Sequence, residues 1–167
     1  MTSMNMTTYL EASGRTAAGT LHGHTIRASD MEAILQENVA SLKRLDQVKK
    51  ALFYGREPSW GIPKTNHEPV EVDDVRKDIF HAVIGIATEA GELLELLLDP
   101  EKATKAKLTD EGGDVLWYLA LLFRTIGTTF DAAGERNIQK LAIRFPDKFE
   151  EYLAIDKDDD KEKVVFQ

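Results

Sequence analysis

The chain has 167 residues, no cysteine and a formal net charge of -8. That length is enough for one domain with a core of its own, and the lack of cysteine excludes disulfides and thiolate metal sites and fits a reducing compartment. The acidic balance argues against nucleic acid as a partner, since a phosphate backbone needs a basic face, and no apolar run reaches the roughly 20 residues of a membrane span.

Residues 1–29 are polar, with glycines at 14, 19 and 23, and read as irregular or only partly helical. They are rich in Thr and Ser and lack an apolar signal core, so a cytoplasmic address is expected. Ser29 is the expected cap of a helix over 30–54, in which Ile34, Leu35, Val39, Leu42, Leu45, Val48 and Leu52 recur near helical period. Pro58, Pro63, Pro69 and two glycines make the following segment a loop. A second helix is expected over 73–99, stopped by Pro100, and a third over 109–126, stopped by Gly127. Both are apolar on more than one side, which calls for burial on several faces, in part by a partner chain. A fourth helix fits 130–144, closed by Pro146. The acidic and basic run over 156–167 reads as a solvated, frayed tail. No strand set and no internal repeat is visible. The expected class is all-α, a helical bundle in a single domain over 1–155.

The second helix carries "TEAGELLELLLD", with Glu89, Glu92 and Glu95 at successive spacings of three, and the third carries Glu111 and Asp114 at the same spacing. Residues three apart share a helix face. The short link between these helices favours an antiparallel hairpin, so the two acidic faces can meet. Converging carboxylates repel unless cations lie between them, and oxygen ligands without Cys or His suit Mg²⁺ or Mn²⁺. Glu-x-x-Glu is also a common pattern on solvated faces. What distinguishes these pairs is very apolar surroundings and glycine within each, Gly91 in the first and Gly112 and Gly113 in the second. Such small residues are expected to let the helix backbones approach closely.

The blocks "HAVIGIATEAGELLELL", "DEGGDVLWYLA" and "NIQKLAIRFPDKF", in that order, resemble the MazG-like nucleoside triphosphate pyrophosphohydrolases of the all-α NTP pyrophosphatase superfamily. The resemblance covers about residues 78–155, and "NMTTYLEASGRTAA" is similar to the opening of some phage-type members. It implies Mg²⁺ held by Glu89, Glu92, Glu111 and Asp114, with Glu89, then Glu92, orienting the attacking water. It also implies triphosphate contacts from Asn137 and Lys140, joined by Arg144 on the same helix face. The family motif EExxE is broken here, because Thr88 stands where its first Glu would be.

Weaker candidates surround this set. His81 lies near the helix side of Glu89 and is expected to touch the nucleotide or fill the core. Tyr118 is a phosphate candidate and Trp117 a core or interface ring. Trp60 and Phe53, in and near the loop, are candidates for stacking on a base, and Glu95 has no fixed place in the pattern. The implied activity is hydrolysis of a (deoxy)nucleoside triphosphate to the monophosphate and pyrophosphate by a homodimer or homotetramer, in nucleotide-pool housekeeping. The alternatives are the same chemistry on phosphoribosyl-ATP or an alarmone nucleotide, and an inactive binding or oligomerisation bundle, which the substitution at Thr88 keeps open.

Overall fold

A computed structural model describes residues 4–62, 68–155, 162 and 165, and among these residues the chain is all-α. Six helices are present among the described residues: α1 Met6–Gly14, α2 Ala28–Tyr54, α3 Asp74–Leu98, α4 Lys105–Ile126, α5 Phe130–Arg144 and α6 Glu151–Ile155. They fall into two compact units. One comprises Met1–Gly23 and Gly127–Gln167, the other His24–Ile126.

In the His24–Ile126 unit, α3 packs against both α2 and α4. Glycines on α3 set how near its neighbours come. A Cβ built on Gly91 would lie 2.8 Å from Leu42 Cβ on α2, and one on Gly85 would lie 2.1 Å from the Tyr118 ring on α4. Both positions need the missing side chain because helix axes draw close only where a ridge is absent. The same role expected of Gly112 and Gly113 is not found: a Cβ at either would meet nothing within 4 Å. Gly113 is exposed and Gly112 half-buried, and a side chain at either would find open space.

The start of α2 also differs from expectation. Ser29 does not cap it; the helix begins at Ala28, and its N-cap, Arg27, makes no side-chain capping bond. Instead Arg27 Nε pairs with Asp30 Oδ2 at 2.7 Å, and that acid in the first turn suits the positive end of the helix dipole. Gly55 ends α2 at φ 65, the left-handed conformation that costs a glycine nothing. Helix α4 starts at Lys105, ahead of the expected Thr109, because Thr104 Oγ1 accepts from the backbone N–H of Lys107 at 3.2 Å. Apolar period is a poor guide there, since residues 104–110 are all exposed. Residues 63–67, the middle of the Pro-rich loop, lie outside the described residues.

Several apolar residues expected to be buried are exposed in the chain: Val83 and Leu97 on α3, and Leu116, Trp117 and Ile126 on α4. Two flanking helices cannot cover α3 all round. No helix of the described residues is long and apolar enough to cross a membrane.

The other unit opens the chain, and residues 1–29 are partly helical, one of the two forms expected of them: α1 covers Met6–Gly14 and no helix follows before α2. Asn5 starts α1 with a reciprocal cap, accepting from the Thr8 N–H at 3.0 Å while Thr8 Oγ1 accepts from the Asn5 N–H at 2.7 Å. Helix α1 lies on α5, where a Cβ on Gly134 would come 3.1 Å from the Tyr9 ring. Tyr9 Oη donates to Asn137 Oδ1 at 3.1 Å, and Arg15 donates to the carbonyls of Phe145 (2.9 Å) and Asp147 (2.5 Å). The Tyr and Arg of the opening motif thus tie α1 to α5 and to the turn after it. Residues 156–161, 163, 164, 166 and 167 of the expected frayed tail lie outside the described residues. Glu162, which is described, is not solvated: it is buried and accepts two hydrogen bonds from Arg144, at 2.6 and 2.7 Å, since the planar guanidinium matches a carboxylate at both oxygens.

The glycine contacts give a paired expectation. Gly85→Ala drives a methyl group into the Tyr118 ring and is expected to destabilise the chain by about 1–3 kcal/mol or more. Gly113→Ala meets open space and is expected to stabilise α4 by up to about 1 kcal/mol through helix propensity alone. Urea or thermal unfolding of the two variants beside the parent checks both signs.

Candidate metal centre

The facing turns of α3 and α4 bring acids from both helices together. Oxygen atoms of Glu89, Glu111 and Asp114 lie within 4.8 Å of one another. Glu89 and Glu111 are buried, at 7 % and 2 % exposure, while Asp114 is exposed. Ligand oxygens around a Mg²⁺ ion with bonds of about 2.1 Å are at most about 4.2 Å apart, so a small side-chain rotation suffices for one ion. The donors are all hard carboxylate oxygens, which is the chemistry that Mg²⁺ or Mn²⁺ requires. The residues therefore fit a divalent cation.

Helix α2 supplies the third wall. Lys49 is 3 % exposed, and its ammonium donates to Glu89 Oε1 at 2.7 Å and to Thr88 Oγ1 at 2.8 Å. Asp46 Oδ1 lies 3.2 Å from the same nitrogen, a longer ion-pair contact than those of Glu89 and Thr88. Asp46 also accepts from Lys50 through its other oxygen. On α4, Lys107 pairs with Glu111 and with the more exposed Asp110. Glu92 and Asp114 have no hydrogen bond or ion pair among the described residues. Asp46, Glu89, Glu92 and Asp114, with Lys49 and Lys50, line an open cleft of about 410 Å³.

Proton affinities follow from this arrangement. Burial acts to raise the Asp46 carboxyl, but its contacts with Lys50 and Lys49 outweigh it and hold it below the usual range. Burial likewise acts against the charge on Lys49, yet Glu89 and Asp46 keep the ammonium firmly protonated. Glu92 has no such help. Burial and then repulsion from Glu111, Glu89 and Asp46 raise its carboxyl, with Lys50 only partly opposing.

Aromatic rings close one side of the cleft. His81 stacks on Phe53 with centroids 4.0 Å apart and meets Tyr54, Trp117 and Tyr118 edge-on. Burial, with Lys49 nearby, lowers the His81 pKa. Tyr118 is buried rather than open to a phosphate. Its hydroxyl lies 3.2 Å from that of Tyr54, and burial with this hydrogen bond pushes its pKa up to about 12. Trp117 and Tyr54 remain largely exposed at the cleft mouth.

Of the residues singled out from sequence, Glu89, Glu92, Glu111, Asp114, His81 and Tyr118 belong to this one neighbourhood. Glu95 pairs with Lys43 at 2.6 Å, and Trp60 stands exposed in the loop after α2. Asn137, Lys140 and Arg144 belong to the other unit, where Asn137 is engaged by Tyr9 and Arg144 by Glu162. The residues that sequence reasoning missed are Lys49 and Asp46. The signal for Lys49 was present: it is seven after Leu42, four after Leu45 and three before Leu52, so a lysine occupies the apolar stripe of α2. No family model, curated protein or solved structure matches the chain.

The raised carboxyl of Glu92 carries a sign. A folded-state pKa above the unfolded one means that stability is lost as pH rises from the usual glutamate range through the folded value. Glu92→Gln removes that repulsion, so with chelator present it is expected to raise Tm at pH 7. The gain should shrink toward zero near pH 4, where Glu92 is protonated in the parent. Thermal melts of parent and variant at the two pH values test this.

Proposed function

We propose that this chain hydrolyses (deoxy)nucleoside triphosphates between the α and β phosphates in a Mg²⁺-dependent reaction, giving a monophosphate and pyrophosphate. The observation that carries the reading is the convergence of Glu89, Glu111 and Asp114 from two helices, with Glu89 and Asp114 also lining an open cleft. The resemblance to the MazG-like pyrophosphohydrolases supplies the reaction class. A divalent ion bound there would make a water more acidic and offset charge on the phosphate oxygens. The chain's own residues then divide the work. Glu89, Glu111 and Asp114 hold the ion, and Lys49 fixes the Glu89 carboxylate. Glu89 and Glu92 are the two candidates for taking the proton of the attacking water. Lys49 already occupies one oxygen of Glu89, which favours Glu92, a cleft residue without a lysine partner. The exposed rings of Trp117 and Tyr54 at the mouth offer a base an apolar face. Assembly as a homodimer or homotetramer is part of the proposal, since it would cover the exposed apolar residues of α3 and α4.

A second reading has one observation in its favour. Thr88 is a hydroxyl where the resembled motif has a carboxylate, and Lys49 already compensates Glu89. Both suit a bundle that binds nucleotide without turning it over.

The discriminating experiment is a panel of NTPs, dNTPs and phosphoribosyl-ATP with Mg²⁺, followed by pyrophosphate release. Turnover of at least one nucleotide is expected, reduced about 100-fold or more by Glu111→Gln or Asp114→Asn. Absence of turnover across the panel, with Mg²⁺-dependent thermal stabilisation by a non-hydrolysable nucleotide, would favour the binding module. Absence of both would sink the two readings together.

A further inference from the structure

We propose that Lys49 is a built-in cation in the place where a second divalent ion would stand, so that each chain takes up a single divalent ion. This rests on the reading of Glu89, Glu111 and Asp114 as a metal centre. Lys49 acts through Glu89 and is a positioning residue.

The first ground is geometry. The Lys49 ammonium has three oxygens around it, from Glu89 at 2.7 Å, Thr88 at 2.8 Å and Asp46 at 3.2 Å. At 3 % exposure it is as enclosed as the carboxylate it serves. Two cations that share carboxylates in a dinuclear site stand about 3.5–4 Å apart. An ion held by Glu89 would share that carboxylate with the Lys49 ammonium, one metal and one fixed cation where a dinuclear site has two metals.

The second ground is the residue at position 88. Thr88 accepts from Lys49 and donates to the Gly85 carbonyl at 3.0 Å. Both hydrogen-bonding functions of the hydroxyl are engaged, and it brings no negative charge with which to attract a second metal. A hydroxyl next to a buried lysine is the neutral counterpart of a carboxylate next to a metal.

The third ground is charge. The cleft is lined by four carboxylates, Asp46, Glu89, Glu92 and Asp114, and by the two ammonium groups of Lys49 and Lys50. The remainder is two negative charges, the complement of one divalent ion. Glu111, behind the lining, is matched by Lys107.

The test is a Mn²⁺ titration of the full chain without nucleotide, with free Mn²⁺ read by its EPR signal. One Mn²⁺ per chain is expected in the parent, and none at the same concentrations in Asp114→Asn. Lys49→Met should gain a second Mn²⁺, and Lys49→Arg, which keeps the charge, should stay at one. Where Lys49→Met does not melt cooperatively, Lys49→Gln serves, since it still donates to Thr88 and Glu89 without the charge. Two ions per chain in the parent would overturn the role of Lys49 and leave the metal-dependent hydrolysis standing. A folded Lys49→Met or Lys49→Gln that still takes one ion would do the same. No Mn²⁺ at millimolar concentration in the parent would remove the metal centre and, with it, this inference.

Discussion

An ammonium group largely withdrawn from water must be met by oxygens, and in the His24–Ile126 unit that demand falls on Lys49. Desolvating it costs several kcal/mol, and only close partners return that energy. Asp46 from its own helix and Thr88 and Glu89 from the next supply them. The consequence reaches beyond one ion pair. Glu89 is itself buried, so each charge is tolerable because of the other, and stranding either would cost roughly 3–5 kcal/mol. The lysine also lies 5.1 Å over the Tyr118 ring, which in turn is seated on Gly85. One buried charge thereby fixes how α2, α3 and α4 meet, and the acids of the cleft inherit their positions from it.

The glycines of α3 express the same constraint in steric form. Gly85 and Gly91 face opposite neighbours, Tyr118 on α4 and Leu42 on α2, and bracket Glu89. The helix carrying the buried carboxylate is thus pinned on both sides within about two turns. Close packing of this kind leaves a charged side chain little freedom, which is what a coordinating or positioning role requires.

The all-α class was legible in the sequence because hydrophobic period and proline or glycine stops agree along most of its length. Ends were legible where chemistry is local, as at Gly127 and Pro100, and misread where a cap replaced a pattern, as at Thr104 and Asn5. The acid pairs on α3 and α4 were legible from spacing, because residues three apart on two adjacent helices can meet only in a few ways. Lys49 was passed over because a lysine in a helix reads as a surface residue unless its register is checked against the apolar stripe. The packing role given to Gly112 and Gly113 failed for a different reason. A glycine's presence says that a backbone can be approached, but not from which side, and only the contact at Gly85 shows where the ring went.

Those two glycines, neither packed against a neighbour, have a bearing on how the acid cluster behaves in time. Glu89 stands in a tightly held stretch of α3, whereas Glu111 and Asp114 flank Gly112 and Gly113 in the early turns of α4, just past a run of exposed residues. Glycine lowers the cost of opening a turn, and the exposed residues 104–110 ahead of it add few buried contacts to resist it. The α4 half of the cluster is therefore expected to have the lower local unfolding free energy, with its amides exchanging with solvent sooner than those around Glu89. A ligand that needs all three carboxylates finds them assembled only in the closed fraction of the population, and its apparent affinity is scaled by that fraction.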